Sequence, residues 1–152
     1  METIDEILKS NKTSCLFIGN YATGKTTFYN TYLKDTAKIQ VEEKVSRKTF
    51  QSIENMAISG LNITIDGNNP QKKDRKPIIE TLKKKDYQIF AFYFCSITRD
   101  CIVRNRKRRN TINENKIIKT EKLIELPNLE EGFSKIFYVE LIDNNFNIED
   151  WV

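Results

Sequence analysis

The stretch Ser14-Cys15-Leu16-Phe17-Ile18-Gly19-Asn20-Tyr21-Ala22-Thr23-Gly24-Lys25-Thr26-Thr27 decides the reading of this 152-residue chain. Its first residues, Ser14–Ile18, form a short apolar run without alternation, the mark of a strand buried on both faces. Gly19 and Gly24 then break the run, and a helical pattern starts at Lys25. A glycine here lets the backbone turn so that consecutive N–H groups point inward. The helix that follows adds the positive end of its dipole. Lys25 contributes an ammonium and Thr26 a hydroxyl. Such a cage suits a triphosphate, which concentrates about four negative charges in a small volume. Lys25 is placed to bridge its β- and γ-phosphates and Thr26 to ligate Mg²⁺.

Residues 19–26 match GxxxxGK[ST] without exception. At ordinary residue frequencies this pattern arises by chance in roughly a few chains per thousand of this length. It is the phosphate loop of P-loop NTPases. ATP and Mg²⁺ are therefore the expected cofactors, and Gly19, Asn20, Tyr21, Ala22, Thr23, Gly24, Lys25, Thr26 and Thr27 the expected ATP-binding residues. The loop alone does not separate kinases, ATPases and GTPases. No NKxD-type guanine-reading motif follows a late strand, and the chain is short for switch regions or a motor domain. A small kinase fits the length.

Working outward, the punctuation predicts one alternating α/β domain over 1–152, with its core over about 13–143. After the first strand come a helix at Lys25–Lys34, a weak strand at Lys38–Val41 and a helix at Ser46–Ser59. Leu61–Ile65 reads as a strand ending in Asp66-Gly67, and Lys72–Lys85 as a helix. Tyr87–Cys95 (YQIFAFYFC) is the strongest strand, Thr98–Arg109 a basic helix, and Ser134–Leu141 the last strand. Helices between successive strands imply right-handed crossovers. The expected architecture is a three-layer α/β/α sandwich with a mostly parallel sheet. The Ile4, Ile7, Leu8 stripe predicts a packed first helix, and Trp151 a cap or a surface residue.

Composition removes other classes. The chain is 39% hydrophobic and 30% charged, too apolar for disorder and too polar for a membrane protein. It has no histidine and three cysteines without CxxC spacing, which argues against zinc sites and histidine-based catalysis. Cys15 and Cys95 read as core thiols, and Cys101, beside basic residues, as a thiol with a lowered pKa. The N-terminus lacks a basic segment followed by an apolar run, so the expectation is an intracellular protein with no membrane partner. The net charge of +4 is unevenly spread. Residues 71–86 carry seven positive and three negative side chains, residues 99–122 nine and three, and residues 123–152 one and seven. The basic segments read either as solvated helix faces or as a footprint for phosphates.

Asp66 follows a strand's apolar run, where P-loop enzymes place an acid near the metal. An Asp-Gly turn is the plain alternative. Arg104 and Arg108, four apart on the predicted basic helix, would share one face of a lid that stabilises the transferred phosphoryl charge. Tyr21 reads as a base-stacking or an ordinary surface residue.

Together these segments resemble the kinase domain of the polynucleotide kinase/phosphatase family. The residues carrying the resemblance are GNYATGKTT, the run ITIDGNNP followed by Arg75, the strand FAFYF, the stretch VRNRKRRN, and Pro127-Asn128-Leu129-Glu130-Glu131-Gly132-Phe133. It spans Cys15 to Ile142, and the phosphatase domain has no counterpart in it. The resemblance implies ATP-dependent transfer of a phosphoryl group to the 5′-hydroxyl end of DNA or RNA. It implies Lys25 and Thr26 at ATP and Mg²⁺, Arg108 at the transferred phosphate with Arg104 in support, and Arg47, Asn68 and Arg75 on the acceptor side.

One position departs from the family pattern. The family's general-base aspartate stands three residues before the arginine matched by Arg47, and that position is Lys44. Either Glu43 or Glu42 takes the role, or the base is absent. A lysine cannot serve unless its pKa falls far below about 10.4. The rival expectations are a P-loop kinase for a small molecule or nucleoside, and a weakened ATP-binding module that recognises nucleic-acid ends beside a protein partner supplying missing activities.

Overall fold

All six residues of strand β1, Thr13–Ile18, are buried. The computed structural model describes residues 3–43 and 46–151. β1 lies inside a six-stranded sheet of order β2-β3-β1-β4-β5-β6. The other strands are β2 (Ala37–Gln40), β3 (Ile63–Asp66), β4 (Gln88–Phe94), β5 (Lys135–Ile142) and β6 (Asn145–Asp150). β1 to β5 pair in parallel, and β6 folds back antiparallel on β5. The helices are α1 (Ile4–Leu8), α2 (Lys25–Phe28), α3 (Arg47–Ile58), α4 (Lys72–Lys84), α5 (Thr98–Arg106) and α6 (Glu114–Leu123).

The sheet separates two apolar clusters. Leu16, Ile18, Ile63, Ile65, Ile89 and Ala91 meet α3 and α4 on one face. Cys15, Phe17, Phe90, Phe92 and Phe94 meet α1 and Phe28, Tyr29 and Leu33 on the other. This is the three-layer α/β/α sandwich, and it is a P-loop NTPase fold. The connection from β1 runs to β2 on one side of the sheet and that from β4 runs to β5 on the other, so the strand order reverses between the adjacent β1 and β4. Such a switch point opens a crevice where ligands bind.

Several sequence expectations change. The helix expected over Lys25–Lys34 is α-helical only to Phe28, then widens to a π-turn at Tyr29–Leu33. There Tyr29 is buried and its hydroxyl donates to Thr36 O at 2.7 Å. The basic helix expected to Arg109 stops at Arg106. Buried Asn105 closes the following loop, donating to Ile112 O at 2.6 Å and accepting from Ile112 N at 2.8 Å. Two elements, α6 and β6, lie beyond the sequence expectation. β6 follows a two-residue hairpin turn at Asp143 and Asn144, both with positive φ, as the tight primed turn demands. The core thus extends past residue 143: Phe146 and Ile148 pack on the second cluster. Trp151 packs on Tyr93 and Tyr138, with ring centroids 5.2 and 5.9 Å away. In α1, Ile4 and Ile7 are buried, so the N-terminal stripe serves packing.

Candidate active site

Two glycines show how tightly the crevice is built. Gly24 caps α2 at φ 93°, and a Cβ there would lie 3.1 Å from the Phe146 ring. A Cβ at Gly67 would lie 2.8 Å from Val41 O. The ends of β2 and β3 therefore approach closely, and Val41 N donates to Asp66 O at 2.7 Å.

Above these loops lies a cleft of about 1070 Å³. Tyr21 to Thr27, Glu42, Glu43, Asp66, Asn68, Arg104 and Arg108 all line it. Gly19 and Asn20 lie beneath, fastened to the fold. Gly19 N donates to Asn68 O at 3.0 Å. Asn20 N donates to Ser96 Oγ at 3.0 Å, and its side-chain amide to Ile117 O at 2.9 Å.

Lys25 Nζ donates to Gly19 O at 3.0 Å, to Thr23 Oγ1 at 3.3 Å and to Asn20 O. Burial desolvates the ammonium and pulls its pKa down to about 8, a shift Asp66 partly offsets and Arg108 reinforces. Asp66 is buried, with Oδ2 at 3.3 Å from Lys38 Nζ. Among the described residues no group of three or more His, Cys, Asp or Glu could hold a metal ion. Magnesium at a nucleotide needs no such cage, because water and phosphate oxygens supply most of its ligands. Thr26, with its hydroxyl, and Asp66, with its carboxylate, both line the cleft, and these oxygen donors suit a hydrated divalent ion.

Glu43 is exposed and tethered. The Tyr21 hydroxyl donates to its Oε1 at 2.8 Å, and Lys116 Nζ lies 3.3 Å from the same oxygen. The Tyr21 hydrogen bond first, then Lys116, lowers its pKa. Glu42 lines the cleft beside it. Lys44, the position matching the family's base, lies outside the described residues. Arg104 braces the site: Nη2 donates to Leu141 O at 3.2 Å, and Nη1 approaches Ala22 O at 3.5 Å. Arg108 sits on the loop closed by Asn105, so it shares no helix face with Arg104. Its side chain makes no ion pair among the described residues.

Two acceptor-side expectations meet a different geometry. Arg75 is fully buried. Its Nε and Nη2 donate to Glu131 at 2.8 and 3.1 Å, and Nη1 to Asn69 O, Pro70 O and Glu125 O at 2.9, 3.2 and 3.1 Å. With its donors occupied, Arg75 does not face a substrate; it fixes the Asn68–Pro70 turn from behind. Arg47 is exposed at the start of α3 and does not line the cleft. Cys101 is also corrected: burial raises its pKa to about 11, outweighing the nearby Arg104 and Lys25. The cleft residues that sequence reading missed, above all Lys116, Lys119 and Thr120, come from the unanticipated α6.

No protein-family profile matches the chain, and no curated protein sequence does. Solved structures are similar to it. A gluconokinase from Sinorhizobium meliloti superposes with a TM-score of 0.58 at 10% identity, over 84% of this chain and 82% of that one. Chaetomium thermophilum Kti12, in complex with ADP-AlF3, gives 0.64 at 14% identity, over 86% and 90%. The PezAT toxin–antitoxin system of Streptococcus pneumoniae gives 0.63 at 17% identity, over 93% and 72%. At such identities the likeness is one of fold, a P-loop fold that kinases share. No helix among the described residues is long and apolar enough to cross a membrane.

Proposed function

We propose that this chain is an ATP-dependent kinase that transfers the γ-phosphoryl group of ATP to the 5′-hydroxyl end of a DNA or RNA strand. The observation that carries this reading is the meeting, in one cleft, of the phosphate loop, the carboxylates of Glu42, Glu43 and Asp66, and the arginines Arg104 and Arg108. Basic residues around the opening and the motifs of the 5′-kinase resemblance support the polynucleotide acceptor.

Roles follow from placement. The loop amides and Lys25 bind the phosphates, and Thr26 and Asp66 would hold Mg²⁺. The ion, when bound, neutralises charge on the β- and γ-phosphate oxygens. Arg108 lines the same cleft and stabilises charge on the transferred group. Arg104 holds the phosphate loop against the end of β5. Glu43, or its neighbour Glu42, takes the proton of the attacking hydroxyl.

Incubation with γ-labelled ATP and either a 5′-hydroxyl oligonucleotide or a set of nucleosides and sugars tests the acceptor. Label in the oligonucleotide is expected. Label only in a small molecule overturns the acceptor assignment, and ATP binding without transfer points to a binding module. Glu43→Gln is expected to lower kcat by about 10²–10⁴-fold, the range for a general base. A loss confined to Glu42→Gln moves the base to that residue.

Lys25 adds a proton signature. Near about pH 8.5 much of it is uncharged in the free protein, and an arriving polyphosphate restores the ammonium. Titration with ATP at that pH, in buffers of different ionisation enthalpy, is expected to show proton uptake that fades toward neutral pH. Binding heats independent of buffer would contradict the assignment.

A further inference from the structure

We propose that one face of α6, bearing Lys116, Lys119 and Thr120, binds a phosphate of the acceptor, and that this phosphate draws Lys116 away from Glu43. The inference rests on the kinase reading above and deepens it by naming what the acceptor must carry.

Positions 116, 119, 120 and 123 are spaced to share one helix face, and all four line the cleft. That face offers two ammoniums, one hydroxyl and an apolar end at Leu123. The helix is anchored at two points. Its Ile117 carbonyl accepts from buried Asn20 of the phosphate loop at 2.9 Å, and just beyond its end Glu125 N donates to Pro70 O at 2.7 Å. The backbone that carries the two lysines is thereby fixed beside the loop that takes the triphosphate.

Their counter-ions are few. Lys116 reaches Glu43 at 3.3 Å in an exposed pair, and Lys119 makes no ion pair among the described residues. An exposed pair of this kind is weak and readily exchanged. Like charges three apart on one helix face repel unless an anion lies between them and the solvent. Arg47, which the resemblance places at the acceptor phosphate, stands off the cleft. α6 therefore supplies the cationic wall that a phosphodiester next to the attacking hydroxyl requires. Lysine suits this role as a point charge for phosphate oxygens.

The exchange also prepares the chemistry. In the free protein Glu43 is shared between Tyr21 and Lys116. An acceptor phosphate on Lys116 leaves the carboxylate with the Tyr21 hydroxyl alone. The 5′-oxygen then bonds to the γ-phosphorus, its proton passes to Glu43, and the bond to the β–γ bridging oxygen breaks with its electron pair left on ADP. An acceptor without a phosphate beside its hydroxyl leaves Lys116 on Glu43 and reacts poorly.

The test compares the unaltered chain with the double variant Lys116→Gln/Lys119→Gln, using a 5′-hydroxyl oligonucleotide, a nucleoside 3′-monophosphate and the plain nucleoside. The double variant is expected to raise KM for the two phosphate-bearing acceptors about tenfold or more, with KM for ATP unchanged. Its oligonucleotide affinity should lose about 0.7 from the slope of log K against log salt, the share of the one phosphate the two lysines neutralise. In Lys116→Gln the acid limb of kcat/KM moves to higher pH, because Glu43 loses a charge that holds its pKa down; Lys116→Arg keeps the limb in place. An unaltered chain that labels the oligonucleotide, beside a double variant with the same KM and salt slope, overturns this inference and leaves the kinase reading standing. An unaltered chain that labels no oligonucleotide overturns both.

Discussion

Lys25→Met is expected to lower ATP turnover by about 10²–10³-fold, the usual cost of removing one donor at a developing charge, with no fall in melting temperature. The two halves have one physical cause. In the free protein the ammonium lies among the carbonyls of Gly19 and Asn20, where it is poorly solvated. Its pKa drops from 10.5 to about 8 because burial penalises the charge. Between those values the unfolded chain still holds a proton that the folded chain has shed, so Lys25 makes stability rise with pH across that window. Methionine removes the poorly solvated charge and that rise together. Urea unfolding of both proteins across the window checks the linkage, and a turnover assay with labelled ATP checks the rate. A variant with full turnover would remove Lys25 from the phosphate site. A variant that unfolds much more easily would make the lysine a structural strut.

The second large effect concerns a residue that the sequence placed at the substrate. Arg75 and Glu131 form a buried, bidentate pair, with side chains 0% and 10% exposed. Removing one partner of such a pair leaves an uncompensated buried charge and costs about 3–5 kcal/mol. Arg75→Met and Glu131→Gln should each lower the melting temperature by roughly 10 °C in a domain of this size. Replacing both with apolar residues should cost less than the two single losses combined, because no lone charge remains. The pair also sets the site. Arg75 holds the carbonyls of Asn69 and Pro70, and Asn68 O in turn accepts from Gly19 N at the root of the phosphate loop. Thermal melts of the three variants check the prediction. Losses near zero in both single variants would show that the pair is solvated in solution.

How much was legible in the chain depended on how local the cause was. The stretch from Ser14 to Thr27 declared itself because its strand, turn and helix start are each written in adjacent residues. Asp66 was legible from the apolar strand just before it, whereas the demand for Gly67 comes from the close pass of Val41, a tertiary contact. Arg75 misled because the family resemblance puts it on the acceptor side. Its burial depends on Glu131, far along the chain, and on three backbone carbonyls no sequence pattern reveals. Cys101 misled in the same way: its basic neighbours are sequential, but its burial is tertiary. Helix α6 was missed because Glu114–Leu123 is mostly polar and buries only Ile117, leaving almost no apolar stripe. Arg104 and Arg108 read as one helix face because nothing before Ile112 announces that Asn105 will close a loop there. β6 escaped because its turn, Asp143-Asn144, lacks the glycine that usually marks a primed hairpin.

Calorimetric titration of the chain with ATP and Mg²⁺, run beside Lys25→Met, bears most directly on the site itself. One saturable binding event, weakened about tenfold or more in the variant and matched by a rise in melting temperature of the unaltered chain, is the predicted result. No heat and an unmoved melting temperature would contradict the account.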